Sequence, residues 1–358
     1  MRQRTHNFSA GPGVLPLEVL MEVKEEIPVF STSGATVFEI SHRSKEYSAV
    51  ADSARSLIRK LLGLSDDWHI LFLQGGASLQ FYQVPLNFLK PGGRAAYANT
   101  GSWSKKAIKE ARTLGTVDVV ASSEDSGFSY IPDSADWSLE SGTNYVHFTS
   151  NNTIYGTEYA ADPVSEVPLV CDASSDFMSR PMDLQSYGLI YAGAQKNVGP
   201  AGLTVVLVRD GFLSSRNDKV PTLLDYGTHA EKLYHTPPVF AVYVMEKVMR
   251  WLDRLGGLSA IQDLNKQKAA EIYNVIDGGD FYRGVARKDS RSLMNVTFRL
   301  SSEELEARFI AEAAGKGLMS LKGHRSAGGI RASIYNACPQ ESVDALASFM
   351  RDFERANG

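Results

Sequence analysis

The sequence predicts an α/β protein: a large domain on a mostly parallel sheet, followed by a small α+β domain. Three observations predict it. Short, fully apolar segments alternate with helical ones from about residue 69 to 208, as in parallel sheets buried on both faces. Chemically useful residues fall at the ends of those apolar segments, where open α/β sheets bind ligands. After two long amphipathic helical stretches, a separate strand–helix–strand pattern closes the chain.

The elements follow in order. Asn7-Phe8-Ser9-Ala10-Gly11-Pro12-Gly13 is a turn-rich opening within an N-terminal segment 1–15. Pro16 suits the first turn of a helix reaching Glu26. A second helix, Ala49 to Leu62, carries Ala54, Leu57, Ile58 and Leu61 at helical spacing and stops at Gly63. Strands are expected at His69–Leu73, Ala95–Ala98, Tyr145–Phe148, Leu169–Cys171, Leu189–Ala192 and Leu203–Val208, with helices at Leu79–Phe88 and Ser104–Leu114. Helices Phe240–Leu255 and Leu258–Ile276 lead out of a large domain assigned to residues 16–259. The small domain, 260–358, is expected to hold strands Leu293–Phe298, Leu318–Lys322 and Gly329–Tyr335. Its helices are Ser301–Gly315, capped by Ser301 or Ser302, and Glu341–Arg355.

Composition narrows the function. The 358 residues are 43% hydrophobic and 22% charged, with formal net charge −4, which points to no nucleic-acid or anionic-membrane partner. No stretch reaches about 18 consecutive apolar residues. The N-terminus lacks the apolar core of a signal peptide, and two cysteines, Cys171 and Cys338, make no disulfide framework. A cytoplasmic location is the expectation.

Lys196 is the most informative residue. In Tyr191-Ala192-Gly193-Ala194-Gln195-Lys196-Asn197-Val198-Gly199-Pro200 an apolar run feeds it and a Gly-Pro turn stops the chain just beyond. A lysine desolvated there can be neutral near pH 7 and act as a nucleophile; one left in water is a plain surface charge. The local stretch allows both.

Other strand ends add to it. Gly75-Gly76-Ala77-Ser78 joins a strand to a helix N-terminus, where free N–H groups and the Ser78 hydroxyl favour an anion, although an ordinary turn reads the same way. Asp172 ends a buried strand, as a counter-ion or as a cap for Ala173-Ser174-Ser175. Trp103 opens a helix after Asn99-Thr100-Gly101-Ser102, either packed or stacking on a ligand. His42-Arg43 and His324-Arg325 lie in Gly/Ser-rich loops, with Arg331 just after the second pair. Arginine's planar fork suits carboxylate and phosphate. An anion cradle, a flat aromatic, a buried carboxylate and a buried lysine together match pyridoxal 5′-phosphate (PLP), which takes a lysine as an imine and a carboxylate at its ring nitrogen.

On Asn7–Pro12, Ser41-His42-Arg43, Gln74–Phe81, Tyr191–Thr204, Thr236-Pro237-Pro238 and Lys322-Gly323-His324-Arg325 through Arg331–Ala337, the chain resembles, end to end, the phosphoserine aminotransferases, class V members of the fold-type I PLP enzymes. That resemblance implies a fold-type I transferase with a seven-stranded sheet. It implies Lys196 as the imine lysine, Asp172 at the pyridine nitrogen and Trp103 on the ring. Ala77, Ser78 and Gln195 would bind the cofactor phosphate, and Thr153 would line the ring. It also implies a homodimer with active sites at the interface, where His235 and Thr236 reach the neighbouring subunit's phosphate. Two positions depart from the family: Ala77-Ser78 stands where many members have Gly-Arg, and His235 where Asn is common.

The substrates expected are L-glutamate and a phosphorylated 2-oxo acid. Arg331 is assigned to the α-carboxylate, His42, Arg43, His324 and Arg325 to the distal anion, and Ser9 to the amino-acid site. Rival readings fit less well. A cysteine desulfurase needs an exposed nucleophilic cysteine, and an alanine–glyoxylate enzyme needs no clustered His-Arg pairs. A dinucleotide oxidoreductase needs a Gly-x-Gly-x-x-Gly turn that Gln74–Leu79 does not supply.

Overall fold

A computed structural model describes residues 4–358; residues 1–3 of the expected N-terminal segment lie outside the described residues. The chain opens with β1 (His6–Asn7), α1 (Leu17–Glu26) and α2 (Lys45–Leu62). Strands and helices then alternate through β2 (Trp68–Leu73), α3 (Gly76–Phe88), β3 (Arg94–Asn99), α4 (Ser102–Ala111), β4 (Thr116–Ser122) and β5 (Thr143–Thr149). A hairpin, β6 (Asn151–Asn152) and β7 (Thr157–Glu158), precedes β8 (Leu169–Asp172), β9 (Tyr187–Gly193) and β10 (Thr204–Arg209). Four helices follow: α5 (Asp210–Leu213), α6 (Tyr226–Glu231), α7 (Val239–Arg254) and α8 (Gly257–Ile276). The remainder is β11 (Arg283–Gly284), β12 (Asn295–Arg299), α9 (Glu303–Gly315), β13 (Leu318–Met319), β14 (Ile330–Ser333) and α10 (Gln340–Asn357).

Seven strands form the main sheet in the order β2-β10-β9-β8-β5-β3-β4. Only β10 runs antiparallel to its neighbours, so the expected mostly parallel sheet is present. Its central strands are apolar on both faces because both faces are covered. Phe148, Cys171 and Ile190 pack in one core with α2 and α7, while Tyr145, Val170 and Leu189 pack in another with α3 and α4.

Some elements begin earlier than hydrophobic spacing suggests. Helix α2 starts at Lys45 because the Ser44 hydroxyl accepts from the Tyr47 N–H, capping a polar first turn. Helix α3 starts at Gly76 rather than Leu79. Strand β4 escapes the apolar-run criterion: it is an edge strand of half-exposed residues, Thr-Val-Asp-Val-Val-Ala-Ser. Strand β13 stops at Met319, short of the expected Lys322, because only Leu318 and Met319 pair with β1.

The smaller sheet is antiparallel, β11-β12-β14, packed with α8, α9 and α10 around Phe298, Phe309 and Phe353. Phe8 belongs to this core although it lies near the other end of the chain. Helix α8 spans two cores: Leu258 and Ile261 join the large one, Ala269, Ile272 and Ile276 the small one. No helix among the described residues is long and apolar enough to cross a membrane.

Candidate active site

The carboxyl ends of β2, β3, β5, β8 and β9 share one edge of the main sheet, and the candidate residues gather there. Strand β9 ends at Gly193, and the next residues fold into a tight turn, with Val198 N–H (3.1 Å) and Gly199 N–H (2.9 Å) both donating to the Ala194 carbonyl. Lys196 sits inside that turn. Its Nζ lies 5.2 Å from the centroid of the Trp103 ring, and burial pushes its pKa below the ordinary lysine value. The Asp172 carboxylate opposes that shift and the Arg331 guanidinium adds to it. This is the desolvated state in which a lysine amine becomes a nucleophile and base.

Asp172 is the last residue of β8, paired between Thr149 and Tyr191. Burial raises its carboxyl, and the nearby Lys196 charge and the Ser174 N–H pull it back down. Oδ1 accepts from Ser174 N at 3.0 Å, so Asp172 does act locally as a cap. Trp103 stands in the first turn of α4, and its indole N–H donates to the Thr153 hydroxyl at 3.1 Å. The Thr153 carbonyl accepts from Arg331 Nη1 at 2.9 Å. Thus Trp103, Thr153 and Arg331 form one connected wall beside Lys196.

The turn after β2 adopts left-handed φ at Gly75 (87°) and Gly76 (62°), which side chains other than glycine's strain to reach. It delivers the N–H groups of the first turn of α3, around Ala77 and Ser78, at the same sheet edge. This donor set fits PLP chemically. The helix terminus supplies N–H groups for a phosphate, Asp172 keeps an acceptor for a ring N–H, Trp103 offers a flat face, and Lys196 offers a desolvated amine. Gln195 is held by its backbone, whose carbonyl accepts from Gly13 N–H at 2.7 Å.

The cationic residues fall in two places. His324 lies close enough to Arg331, Arg325 and Lys106 that all three charges depress its pKa, after burial. Lys106 itself rests 4.3 Å from the Trp103 ring centroid, so this group borders the Lys196 wall. His42 is elsewhere. With His229, His235 and Pro237 it lines a cavity of about 460 Å³ along the outer strand β2. Both ring nitrogens of His235 lack a partner among the described residues, and burial, His229 and His42 lower its pKa. Thr236 is exposed, its carbonyl accepting from Gln74 Nε2 at 3.2 Å. Arg43 and Arg325 are exposed and make no ion pair among the described residues. Ser9 is half-buried, its hydroxyl accepting from Gly11 N–H at 3.4 Å.

Several residues at the site carry no obvious chemical signal in the sequence. Tyr335 donates to the Ala10 carbonyl at 2.7 Å, and Asn336 N–H donates to Asn197 Oδ1 at 2.9 Å. The Ser150 hydroxyl donates to Asp176 Oδ1 at 2.5 Å and lies 3.2 Å from the Asp172 carbonyl. The only hint was that Tyr335 and Asn336 end the run opened by Arg331.

Fold and site together define an aminotransferase, an enzyme with its lysine at the end of a central strand. A model of the class-V aminotransferases matches residues 5–346, and the chain belongs to that family. Among curated relatives, phosphoserine aminotransferase from Desulfosudis oleivorans is 51% identical over the full length of both chains. Phosphoserine aminotransferase from Bacillus circulans subsp. alkalophilus superposes with a TM-score of 0.97 at 47% identity, covering 100% of each chain. The PLP-bound phosphoserine aminotransferase of Trichomonas vaginalis superposes at 0.93 with 37% identity, covering 97% of this chain and 100% of that one.

Proposed function

We propose that this enzyme binds PLP and transfers the amino group of L-glutamate to 3-phosphohydroxypyruvate, giving 2-oxoglutarate and O-phospho-L-serine, a step of serine biosynthesis. One observation carries the reading: a buried amine, Lys196, held between the Trp103 ring and the Asp172 carboxylate at the rim of a cationic group. Relatives about half identical over their whole length bear the matching name.

When bound, the cofactor supplies an electron sink that makes the substrate α-carbon acidic. Lys196 Nζ, desolvated, takes the proton from that carbon and returns it on the other side of the transfer. The Asp172 carboxylate would favour the protonated ring nitrogen of the bound cofactor. Trp103 would offer a flat face to the ring, and its indole N–H fixes Thr153 beside it. The N–H groups of Ala77 and Ser78, with Gln195, hold the cofactor phosphate.

Charge counting supports the substrate. Phosphoserine carries a phosphate near −2 and an α-carboxylate, so a site for it needs cations at two positions. Arg331 uses one N–H on the Thr153 carbonyl and keeps the rest for the α-carboxylate. His324, Arg325 and Lys106 serve the distal anion. His42 and His235, which line the cavity along the outer strand, and their neighbours Arg43 and Thr236 serve the site of a second subunit in a homodimer. The phosphorylated four-carbon oxo acid of pyridoxine biosynthesis has the same two anions and is a second substrate of this reading.

The test is direct. The purified protein is loaded with PLP, and its visible spectrum is followed with glutamate, then with phosphohydroxypyruvate. Ping-pong conversion, with each half-reaction visible separately, is expected; no spectral response to glutamate sinks the proposal.

A further inference from the structure

Lys268 is a buried lysine outside the chemistry described above. It projects from α8 and is only 3% exposed, yet among the described residues it pairs with no carboxylate. Its Nζ instead lies within hydrogen-bond distance of four backbone carbonyls that share its three N–H donors: Tyr335 at 2.7 Å, Ile334 at 3.1 Å, Asn336 at 3.2 Å and Cys338 at 3.4 Å. Burial pushes its pKa down to about 8. An ammonium without a counter-ion is an expensive way to fill a core, so its placement calls for a reason.

That reason lies on the other side of the same turn. The carbonyls of Ile334, Tyr335, Asn336 and Cys338 face Lys268, while the Tyr335 hydroxyl and the Asn336 N–H reach segments beside Lys196. Tyr335 OH donates to the Ala10 carbonyl at 2.7 Å, and its ring lies where any side chain at Gly13 would collide, 2.8 Å from the added carbon. Gly13 N–H in turn holds the Gln195 carbonyl. Asn336 N–H donates to Asn197 Oδ1, and Asn336 Nδ2 to the Met178 carbonyl at 2.8 Å. Asn265, one turn before Lys268 on α8, donates to Asn336 Oδ1 at 2.8 Å. Both chain neighbours of Lys196 are therefore held from this turn: Gln195 through Gly13 and Tyr335, Asn197 through Asn336.

We propose that Lys268 is a positioning residue for Lys196: a tethered cation that gathers the carbonyls of Ile334, Tyr335, Asn336 and Cys338 and so fixes the turn that clamps Gln195 and Asn197. It never touches substrate or cofactor. Without it, the carbonyls of Ile334, Asn336 and Cys338 lose the Lys268 donor and that of Tyr335 keeps only the Cys338 N–H, the turn relaxes, and the Lys196 amine drifts from its place beside the Trp103 ring. The inference rests on the transamination reading.

The test compares Lys268→Met and Lys268→Arg with wild type, all loaded with PLP and assayed well below their melting temperatures. Lys268→Gln, which keeps a donor and drops the charge, replaces the methionine variant if that one does not fold. The neutral variant is expected to lose about tenfold to a hundredfold in kcat per loaded site, since small misplacements of a reacting group cost that much. The KM for glutamate stays within about twofold because Arg331 is untouched. Hydrogen exchange at residues 335–338 is expected to accelerate in step, and Lys268→Arg to recover both readouts. A neutral variant with wild-type kcat overturns the proposal. So does one that loses kcat while residues 335–338 keep their protection, or an arginine variant that behaves like the neutral one. Inactivity of the wild type itself would instead sink the transamination reading, leaving the exchange comparison standing.

Discussion

The Lys196 amine lies 5.2 Å from the centre of the Trp103 ring, and Asp172 is the carboxylate that most strongly favours its charge. Burial drives both members of the Lys196–Asp172 pair toward neutrality, and their mutual attraction opposes it. An amine balanced in this way can both bond to an aldehyde and carry a proton.

Asp172→Asn should leave the fold intact, because an amide oxygen can still accept from Ser174 N–H. It removes the negative charge that the proposed mechanism sets against the cofactor's ring nitrogen. Loss of about 10²–10³-fold in kcat is expected, the scale of one preorganised electrostatic contact. Steady-state kinetics with a circular dichroism control checks it, and a near-normal rate would assign that role to another group.

Arg325→Ala should weaken the phosphorylated substrate and spare glutamate and the cofactor. A lost charged hydrogen bond of roughly 1.5–3 kcal/mol raises KM about tenfold to a hundredfold. Arg331→Ala should raise KM for both substrates. Equal weakening of substrate and cofactor in the Arg325 variant would remove it from the distal-anion site.

Mixed dimers test the shared site. A Thr236→Ala, Arg43→Ala double variant and a Lys196→Ala variant are each expected to be nearly inactive. If His42, Arg43, His235 and Thr236 serve the neighbouring subunit, co-refolding the two should restore activity at sites pairing an intact Lys196 with an intact partner edge. No gain over the separate variants would place those residues in their own subunit's site or none.

Stability should depend on a buried carboxylate pair. Burial, followed by the nearby Asp176 charge, pushes Glu158 above the ordinary carboxylate range, and burial raises Asp176 as well. The folded state therefore keeps protons that the unfolded chain releases. Stability contributed by the pair is full below the unfolded values and declines as pH rises through the raised folded ones. Glu158→Gln should flatten that decline and raise the melting temperature at pH 8 by roughly a few degrees. Its amide oxygen can still accept from Leu293 N–H, as Glu158 does at 2.7 Å. A variant melting profile parallel to wild type from pH 5 to 9 would contradict this.

The strands and the sheet edge where the candidate residues gather were legible because a parallel sheet announces itself twice: in apolar runs and in the polar residues that end them. Lys196, Asp172 and the Gly75-Gly76 turn all lie at such ends. Strand β4 was hidden because an edge strand need not be apolar on both faces. That His42 and His235 share a cavity along β2 is tertiary, since they lie far apart in the chain, and no local spacing encodes it. The clamp made by Tyr335, Asn336 and Lys268 was hidden for another reason. Its hydrogen bonds run largely through backbone carbonyls and amides, which every residue carries.

The most direct measurement is to load the protein with PLP, reduce it with borohydride and map the labelled peptide. A single pyridoxyl label on Lys196, absent in Lys196→Ala together with turnover and visible absorbance, is the expected result. A label on another lysine, or full activity in Lys196→Ala, would contradict the account.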